Sequence, residues 1–337
     1  MALASAPPRH DARGALADAL GRMAPRLAPG ATGIEALELM TGGASHETWA
    51  FRLTGTGERL VLRRAPEEPR PGAIGVGLDV EAAAIARAGE AGVPVPRVRA
   101  RLSPQDGVGT GIVVTRVEGE ALPRRVLRDP RFAPARDRFA RDAGRILAAI
   151  HGTGCQGLGL VEHTPQTTLA SLAARHAELG EPRPVFELAL RWLADHVPPA
   201  RPPRLVHGDF RMGNLLFGPD GIRAVLDWEL VHAGDPHEDL GWLAMRSWRF
   251  GASHVVGGLC AREALWAAYE AAGGAPVDPA AARWWETLAA LRWGVIVEEM
   301  ARWIAAGIDR SVERHVIARR ASEAEWTLLS DLTARLA

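Results

Sequence analysis

The 337-residue chain contains no lysine: all 40 of its basic residues are arginines. Wherever a site calls for a cationic side chain, arginine must supply it, with a planar fork of donors instead of a compact point charge. Two cysteines, Cys155 and Cys260, are too few for a disulfide framework or a cysteine-rich metal site. No apolar run is long enough to span a bilayer, and the opening "MALASAPPRHDARG" lacks the apolar segment of a signal peptide. The expectation is a cytoplasmic protein with no membrane partner. Forty acids balance the arginines, so no net field draws the chain to nucleic acid either. What is present, 47% hydrophobic and 24% charged residues, is the composition of a soluble globular protein. The length fits two lobes better than a single core.

Pattern divides the chain into three parts. Residues 1–30 form an Ala/Pro/Arg-rich extension in which Leu16, Leu20, Met23 and Leu27 share one helical face. Residues 31–118 are strand-like: "IEALELM" and "TWAFRL" flank the Gly-rich "TGGASHE", and "ERLVLRRAP" follows and is stopped by Pro66. The helix-forming "LDVEAAAIARAGEAG" and another strand, "TGIVVTRVEG", complete this part. Past a hinge at 116–120, residues 119–337 read as helices joined by Pro/Gly loops, interrupted by strands only at 204–230. Long Trp-rich helices are expected at 260–305 and 313–336. The fold class is α+β and bilobal, with a small β-rich N-lobe and a larger, mainly helical C-lobe.

The chemistry concentrates in "LVHGDFRMGNLLF" (205–217) and "AVLDWEL" (224–230). Asp209 and Asn214 stand five positions apart between two apolar runs, and Asp227 ends the next strand, across a hairpin closed by "GPDG". A hard cation such as Mg²⁺ takes oxygen ligands and keeps waters and phosphates in its shell. Asn214 with Asp227 suits such a metal–nucleotide site better than a closed cage. Asp209 is left to accept a proton from an attacking hydroxyl, the division of labour of a kinase catalytic loop. The bland reading, loop caps and Asx turns, accounts for any one of these residues but poorly for all three together. His207 reads as a buried strut of the loop, and Asp235 and Asp239 in "GDPHEDL" as braces of the loop and caps of the helix after it. Trp284, Trp285, Trp293 and Trp303 read as core.

"HGDFRMGNLLF…AVLDWELVHAGDPHEDLGWL" resembles the aminoglycoside phosphotransferase and choline kinase superfamily, of protein-kinase-like fold, and within it the phosphotransferase set that includes hydroxyacyl-CoA kinase-like domains. The resemblance runs from about residue 35 to the C-terminus. It implies ATP as donor (GTP as an alternative), Asp209 as catalytic base, and Asn214 with Asp227 as Mg²⁺ ligands. Arg211 then takes the place of a cation near the γ-phosphate. "GGASHETWAF" resembles a nucleotide-covering loop, which brings Gly43, Ala44, Ser45 and His46 to the phosphates. Thr115 and Val117, in "TRVE", match the adenine-facing hinge. Glu81 matches the helix acid that pairs with the phosphate-gripping base of the third strand.

That strand departs from the pattern, since "LVLRRAP" has arginines where most relatives carry lysine. Strand alternation turns only one of Arg63 and Arg64 inward, and Arg63 stands at the lysine's place. Two other readings stay open: an ATP-binding pseudokinase, suggested by the missing lysine, and a metallohydrolase, suggested by the cluster of His207, Asp209, His232, Asp235, His237 and Asp239. No "APE"-like activation segment follows Asp227, which favours a small-molecule hydroxyl acceptor over a protein. The acids Glu286, Glu298, Glu299 and Asp309 are interleaved with arginines, so a neutral or anionic acceptor, such as a hydroxyacyl thioester, is favoured over an aminoglycoside or macrolide.

Overall fold

Alternation in "RLVLRR" decides how the first lobe is assembled. Leu60 and Leu62 are fully buried on one face of their strand, while Val61 and Arg63 point to the other. The computed structural model describes residues 9–40, 46–66 and 75–336. Its first lobe comprises helix α1 (Arg9–Leu27), strands β1 (Gly33–Leu39), β2 (Glu47–Thr54) and β3 (Arg59–Arg64), helix α2 (Leu78–Glu90), and strands β4 (Val98–Leu102) and β5 (Gly111–Thr115). The five strands form one antiparallel sheet in the order β1-β2-β3-β5-β4.

Each face of this sheet has its own cover. Leu53, Leu60, Leu62 and Val113 pack with Leu16, Leu20, Met23 and Leu27 of α1, so this helix is built into the lobe's core. On the other face, Ile112 and Val114 pack with Ala82, Ile85 and Ala88 of α2 and continue into the C-lobe core around Phe210 and Trp228. Strand β4 ("VRARL") was not foreseen; its arginines and the prolines before it disguise an edge strand.

The chain leaves β5 through residues 116–120, and Glu120 exchanges two backbone hydrogen bonds with Phe217 (2.9 and 3.0 Å). This clip ties the connection between lobes to the hairpin carrying Asn214 and Asp227. The C-lobe continues with α3 (Pro123–Arg128), α4 (Ala133–Asp137), α5 (Phe139–Gly152), α6 (Pro165–Leu179) and α7 (Pro184–Asp195). Then come strands β6 (Arg204–Val206), β7 (Leu215–Gly218), β8 (Gly221–Val225) and β9 (His232–Gly234). Helices α8 (His237–Ala244), α9 (Arg262–Ala271), α10 (Pro279–Ala305), α11 (Val312–Ile317) and α12 (Ala321–Leu336) complete it. The helical run expected at 260–305 is divided: Gly273 takes a positive φ after α9, and Asp278 caps α10 by accepting the Ala280 amide at 2.9 Å.

Helices α8 and α10 cross closely because Gly241 has no side chain; a Cβ there would lie 2.6 Å from the backbone nitrogen of Glu286. The close crossing seats α8 against the C-lobe core and so fixes Asp239, near its start, beneath the loop at 207–209. Among the described residues no helix is long and apolar enough to cross a membrane.

Leu20→Ala tests whether α1 is integral to the lobe. Leu20 is 0% exposed, so the variant is expected to lose about 2–5 kcal/mol in urea unfolding. Wild-type stability would show instead that α1 can detach without cost.

Candidate active site

The loop that carries Asp209 begins at a glycine that nothing else can replace. Gly208 has φ +80°, and a Cβ there would lie 2.5 Å from the Leu230 carbonyl oxygen. Its amide and that of His207 both donate to Asp239, at 2.9 Å each. Asp239 is fully buried and also meets His151 Nε2 at 3.0 Å, while His151 Nδ1 meets the Tyr269 hydroxyl at 3.0 Å. Burial opposes ionisation of Asp239, but the His151 hydrogen bond and the histidine and amide partners outweigh it and hold the carboxyl below the usual range. His207 is buried, which pushes its imidazole down and keeps it neutral. Its Nδ1 accepts the Asp209 amide (3.2 Å), so Nε2 carries the proton and donates to the Leu226 carbonyl (3.1 Å). One imidazole thus spans the loop before Asp209 and the strand end before Asp227.

Three side chains hold the Asp209 carboxylate. Trp242 Nε1 donates to Oδ1 at 2.7 Å, Asn214 Nδ2 to Oδ2 at 2.7 Å, and Arg211 Nε lies 3.0 and 3.2 Å from the two oxygens. Because Asn214 commits its nitrogen to Asp209, its amide oxygen is turned the other way. The β7–β8 hairpin sets the residue preceding Asp227 beside Asn214, where the Leu226 amide donates to the Asn214 carbonyl at 2.8 Å. Asp227 itself sits in the left-handed region (φ 66°), a conformation rare for a non-glycine residue and typical of functional sites.

The N-lobe reaches the same place through Arg63. One guanidinium nitrogen bonds Glu81, which is fully buried, and another meets Asp227 Oδ1 at 3.3 Å. Burial works against the Arg63 charge, but Glu81, Asp227 and Glu229 together raise the guanidinium above its usual basicity. Arg64 points to the other face and bonds Glu47 at 2.7 Å. His46 lies 3.7 Å from Glu229; burial and then Arg63 depress its imidazole, which stays neutral.

Arg63, Glu81, Asp227, Asn214, Asp209 and Arg211 therefore form one contiguous site, with His46 at its edge. Gly43, Ala44 and Ser45 lie outside the described residues. The Thr115 hydroxyl accepts the Arg97 amide at 2.9 Å, which occupies it within the sheet, and Val117 is half-buried in the inter-lobe connection. Asp235 differs from expectation: its carboxylate bonds the amide (3.0 Å) and Nδ1 (2.6 Å) of His237 and the indole of Trp285 (3.2 Å). It braces the start of α8, and the loop itself is held by Asp239 alone of the two. Sequence reasoning did not single out Trp242 or His151, which lie 33 and 88 positions from the partners they hold.

The donor set fits a metal that shares its shell with phosphates. Asn214 offers an oxygen, and the Asp227 side chain is 35% exposed and meets Arg63 only at 3.3 Å among the described residues. Among the described residues, no three His, Cys, Asp or Glu side chains gather as a metal cage. The histidines and acids of the metallohydrolase reading are engaged in hydrogen bonds and do not converge on one point: His237 bonds Asp235, His232 bonds Glu238 (3.0 Å), and Asp239 bonds His151.

This geometry is that of a kinase-like phosphotransferase. A sequence model of the phosphotransferase enzyme family matches residues 36–285, and the chain belongs to that family. It is 31% identical over 248 residues to chicken (Gallus gallus) acyl-CoA dehydrogenase family member 11, covering 68% of this chain and 30% of that protein. The chain spans 19–30% of the length of the first curated relatives it matches. The solved structure of an aminoglycoside phosphotransferase homologue from Ralstonia eutropha JMP134 superimposes with a TM-score of 0.73 at 22% identity, covering 94% of this chain and 98% of that one. A thermostable mutant of an aminoglycoside phosphotransferase, solved with AMP-PNP and hygromycin B, gives a TM-score of 0.60 at 16% identity, with 89% and 94% covered. These likenesses establish the bilobal kinase-like fold.

The depressed Asp239 carboxyl fixes a pH dependence. A carboxyl lowered in the folded state stabilises the fold fully above its unfolded value, near 3.9, and loses that contribution as pH falls through the folded value. Asp239→Asn is therefore expected to be least stable relative to wild type at neutral pH, with the urea-midpoint gap closing below about pH 4. A gap that does not change with pH would assign the role of Asp239 to shape and not to charge.

Proposed function

We propose that the protein is an ATP-dependent kinase that moves the γ-phosphoryl group of MgATP to a hydroxyl of a small molecule. The observation that supports it most is the continuity of the site: Arg63 touches both Glu81 and Asp227, and Asn214 bonds the Asp209 carboxylate. This supports reading Arg63 as the phosphate-gripping cation, Asn214 with Asp227 as the metal-holding pair and Asp209 as the base of one site.

Asp209 orients the acceptor alcohol and takes its proton. The alcohol oxygen forms a bond to the γ-phosphorus while the bond to the β,γ-bridging oxygen breaks, and ADP leaves with that electron pair. Arg63, fixed by buried Glu81, holds the α- and β-phosphates, and its fork suits two oxygens at once. Arg211 offsets charge on the transferring group after turning from Asp209. Asn214 and Asp227 would hold Mg²⁺, which would supply neutralisation of phosphate charge. His46, at the edge of the site, is assigned to the phosphates, and Val117 to the nucleotide base; with the Thr115 hydroxyl engaged by Arg97, only the Thr115 backbone is left for that role. Positioning and electrostatics supply most of the catalysis.

A hydroxyacyl thioester or similar metabolite is favoured as acceptor over an aminoglycoside or macrolide. The supporting observation is that the candidate acids are spent on arginines. Glu286 is bonded by Arg262 (2.5 and 2.7 Å) and Arg249 (3.4 Å), Glu298 by Arg183, Glu299 by Arg175 and Asp309 by Arg314. The acyl-CoA dehydrogenase names of the relatives point the same way.

MgATP is expected to raise the melting temperature of the wild type, and Asp227→Ala to lose that stabilisation. Absence of stabilisation by either MgATP or MgGTP would bring the pseudokinase reading forward and implicate Arg63. Asp209→Asn is expected to retain MgATP stabilisation while turnover of the acceptor, followed by ADP release, falls roughly 10²-fold or more. Near-normal turnover in this variant would remove Asp209 from the role of base.

A further inference from the structure

Asp209 has a second neighbourhood, away from Arg63, made of tryptophan and arginine. Trp242, whose indole donates to Asp209, lies 5.6 Å from Trp248, and Trp248 lies 5.0 Å edge-to-face from Trp293. The three indoles form an unbroken cluster that starts at the base. Arg211 covers Trp248 at 4.8 Å and Arg320 lies over Trp293 at 5.8 Å.

Two features of this cluster are out of place in an ordinary core. The buried N–H groups of Trp248 and Trp293 have no hydrogen-bond partner among the described residues. Each such group costs about 1–3 kcal/mol, so a pair beside a catalytic carboxylate calls for an explanation. Charge is the other feature. Asp209 is occupied by three donors, and Glu323 is held by Arg320 (2.7 Å to each oxygen) and by the Ser247 hydroxyl (2.9 Å). Arg246 is exposed, stacked on Trp326 at 3.8 Å, and has no carboxylate within ion-pair distance among the described residues. The indoles are buried (Trp242 3%, Trp248 5% and Trp293 8% exposed), with Arg211 and Arg320 over two of them, so the cluster presents guanidinium groups outward and indole donors beneath, and none of these carboxylates is left to spare for a cation.

We propose that Trp242, Trp248 and Trp293 with Arg211, Arg246 and Arg320 form the acceptor subsite, and that it selects an alcohol carrying an oxyanion, a carboxylate or a phosphate. This rests on the phosphotransferase reading and names its substrate class. The hydrocarbon of the acceptor lies on the indoles, and its oxyanion meets the guanidinium and indole donors. Arg211 bonds both oxygens of Asp209, and an incoming hydroxyl needs one of them. Acceptor binding therefore displaces Arg211, which uncovers Trp248 and its N–H. A polycation meets repulsion at the same surface.

The test is a tryptophan-fluorescence titration of the full chain, with saturating MgADP, using four probes: 3-hydroxybutyrate, glycerol 3-phosphate, neutral 1,3-butanediol and cationic kanamycin. At least one anionic probe is expected to give a saturable change with affinity at least about tenfold above those of the diol and kanamycin, the worth of one charge-assisted hydrogen bond. The stronger of the two anionic probes identifies the oxyanion as carboxylate or phosphate. Arg246→Ala and Trp293→Phe are each expected to weaken that response, with MgATP stabilisation as the folding control. Equal or tighter binding of the diol or kanamycin overturns the proposal. So does a saturable anion response that neither variant alters, or no saturable response to any probe. If MgATP fails to stabilise the wild type, the phosphotransferase reading fails by itself, and the same titration without nucleotide still reports on this surface.

Discussion

The buried carboxylate of Asp239 fixes the loop on which the rest of the site is hung. It accepts two consecutive amides, those of His207 and Gly208, immediately before Asp209, the residue proposed as base. Those amides would otherwise be buried donors without partners, so the loop has one low-energy path, and that path sets Asp209 against Asn214, Arg211 and Trp242. The anchor is itself anchored: His151 from α5 and, behind it, Tyr269 from α9 fix the orientation of the carboxylate. Helix α8, which carries Asp239, is seated by the close crossing with α10 at Gly241. Packing between helices far from the chemistry is in this way converted into the position of one side chain.

The second constraint joins the lobes. Arg63 reaches from the third strand to Glu81 in α2 and to Asp227 in the C-lobe, and residue Glu120 of the connection is laced to Phe217 of the hairpin. A buried ion pair is not by itself a source of stability, because both charges lose their hydration. Its value here is geometric. Glu81 holds the guanidinium in a single pose, and the pose is the one that faces Asp227.

Much of this was legible in the sequence for definite reasons. Asp209, Asn214 and Asp227 stood out because polar residues between apolar strand segments need a purpose, and a hairpin with a four-residue turn returns the chain to its start. Period-two alternation separated Arg63 from Arg64, and the structure puts Arg64 on Glu47, on the opposite face. What stayed hidden depends on contacts between distant residues. Trp242 looks like an ordinary core tryptophan of an amphipathic helix until the fold brings its N–H to Asp209. His151 ends a helix with no local signal of a partner 88 positions away. Strand β4 was masked because an edge strand tolerates arginines on its open side, and Asp235 was grouped with Asp239 because both precede or begin one helix, although only Asp239 faces the loop.

Arginine at position 63, where the proposed function needs a phosphate-gripping cation, has a consequence for chemistry performed on the protein from outside. A lysine there would be a primary amine, open to acylation and to reagents that capture amines near bound nucleotides. Residues 1–337 contain no such side chain, so the site is silent to lysine-directed labels and cannot be switched by side-chain acetylation. The guanidinium also keeps its charge at every pH the fold survives. Any acid or base sensitivity of nucleotide handling therefore belongs to the carboxylates and histidines around it, and the grip itself does not titrate.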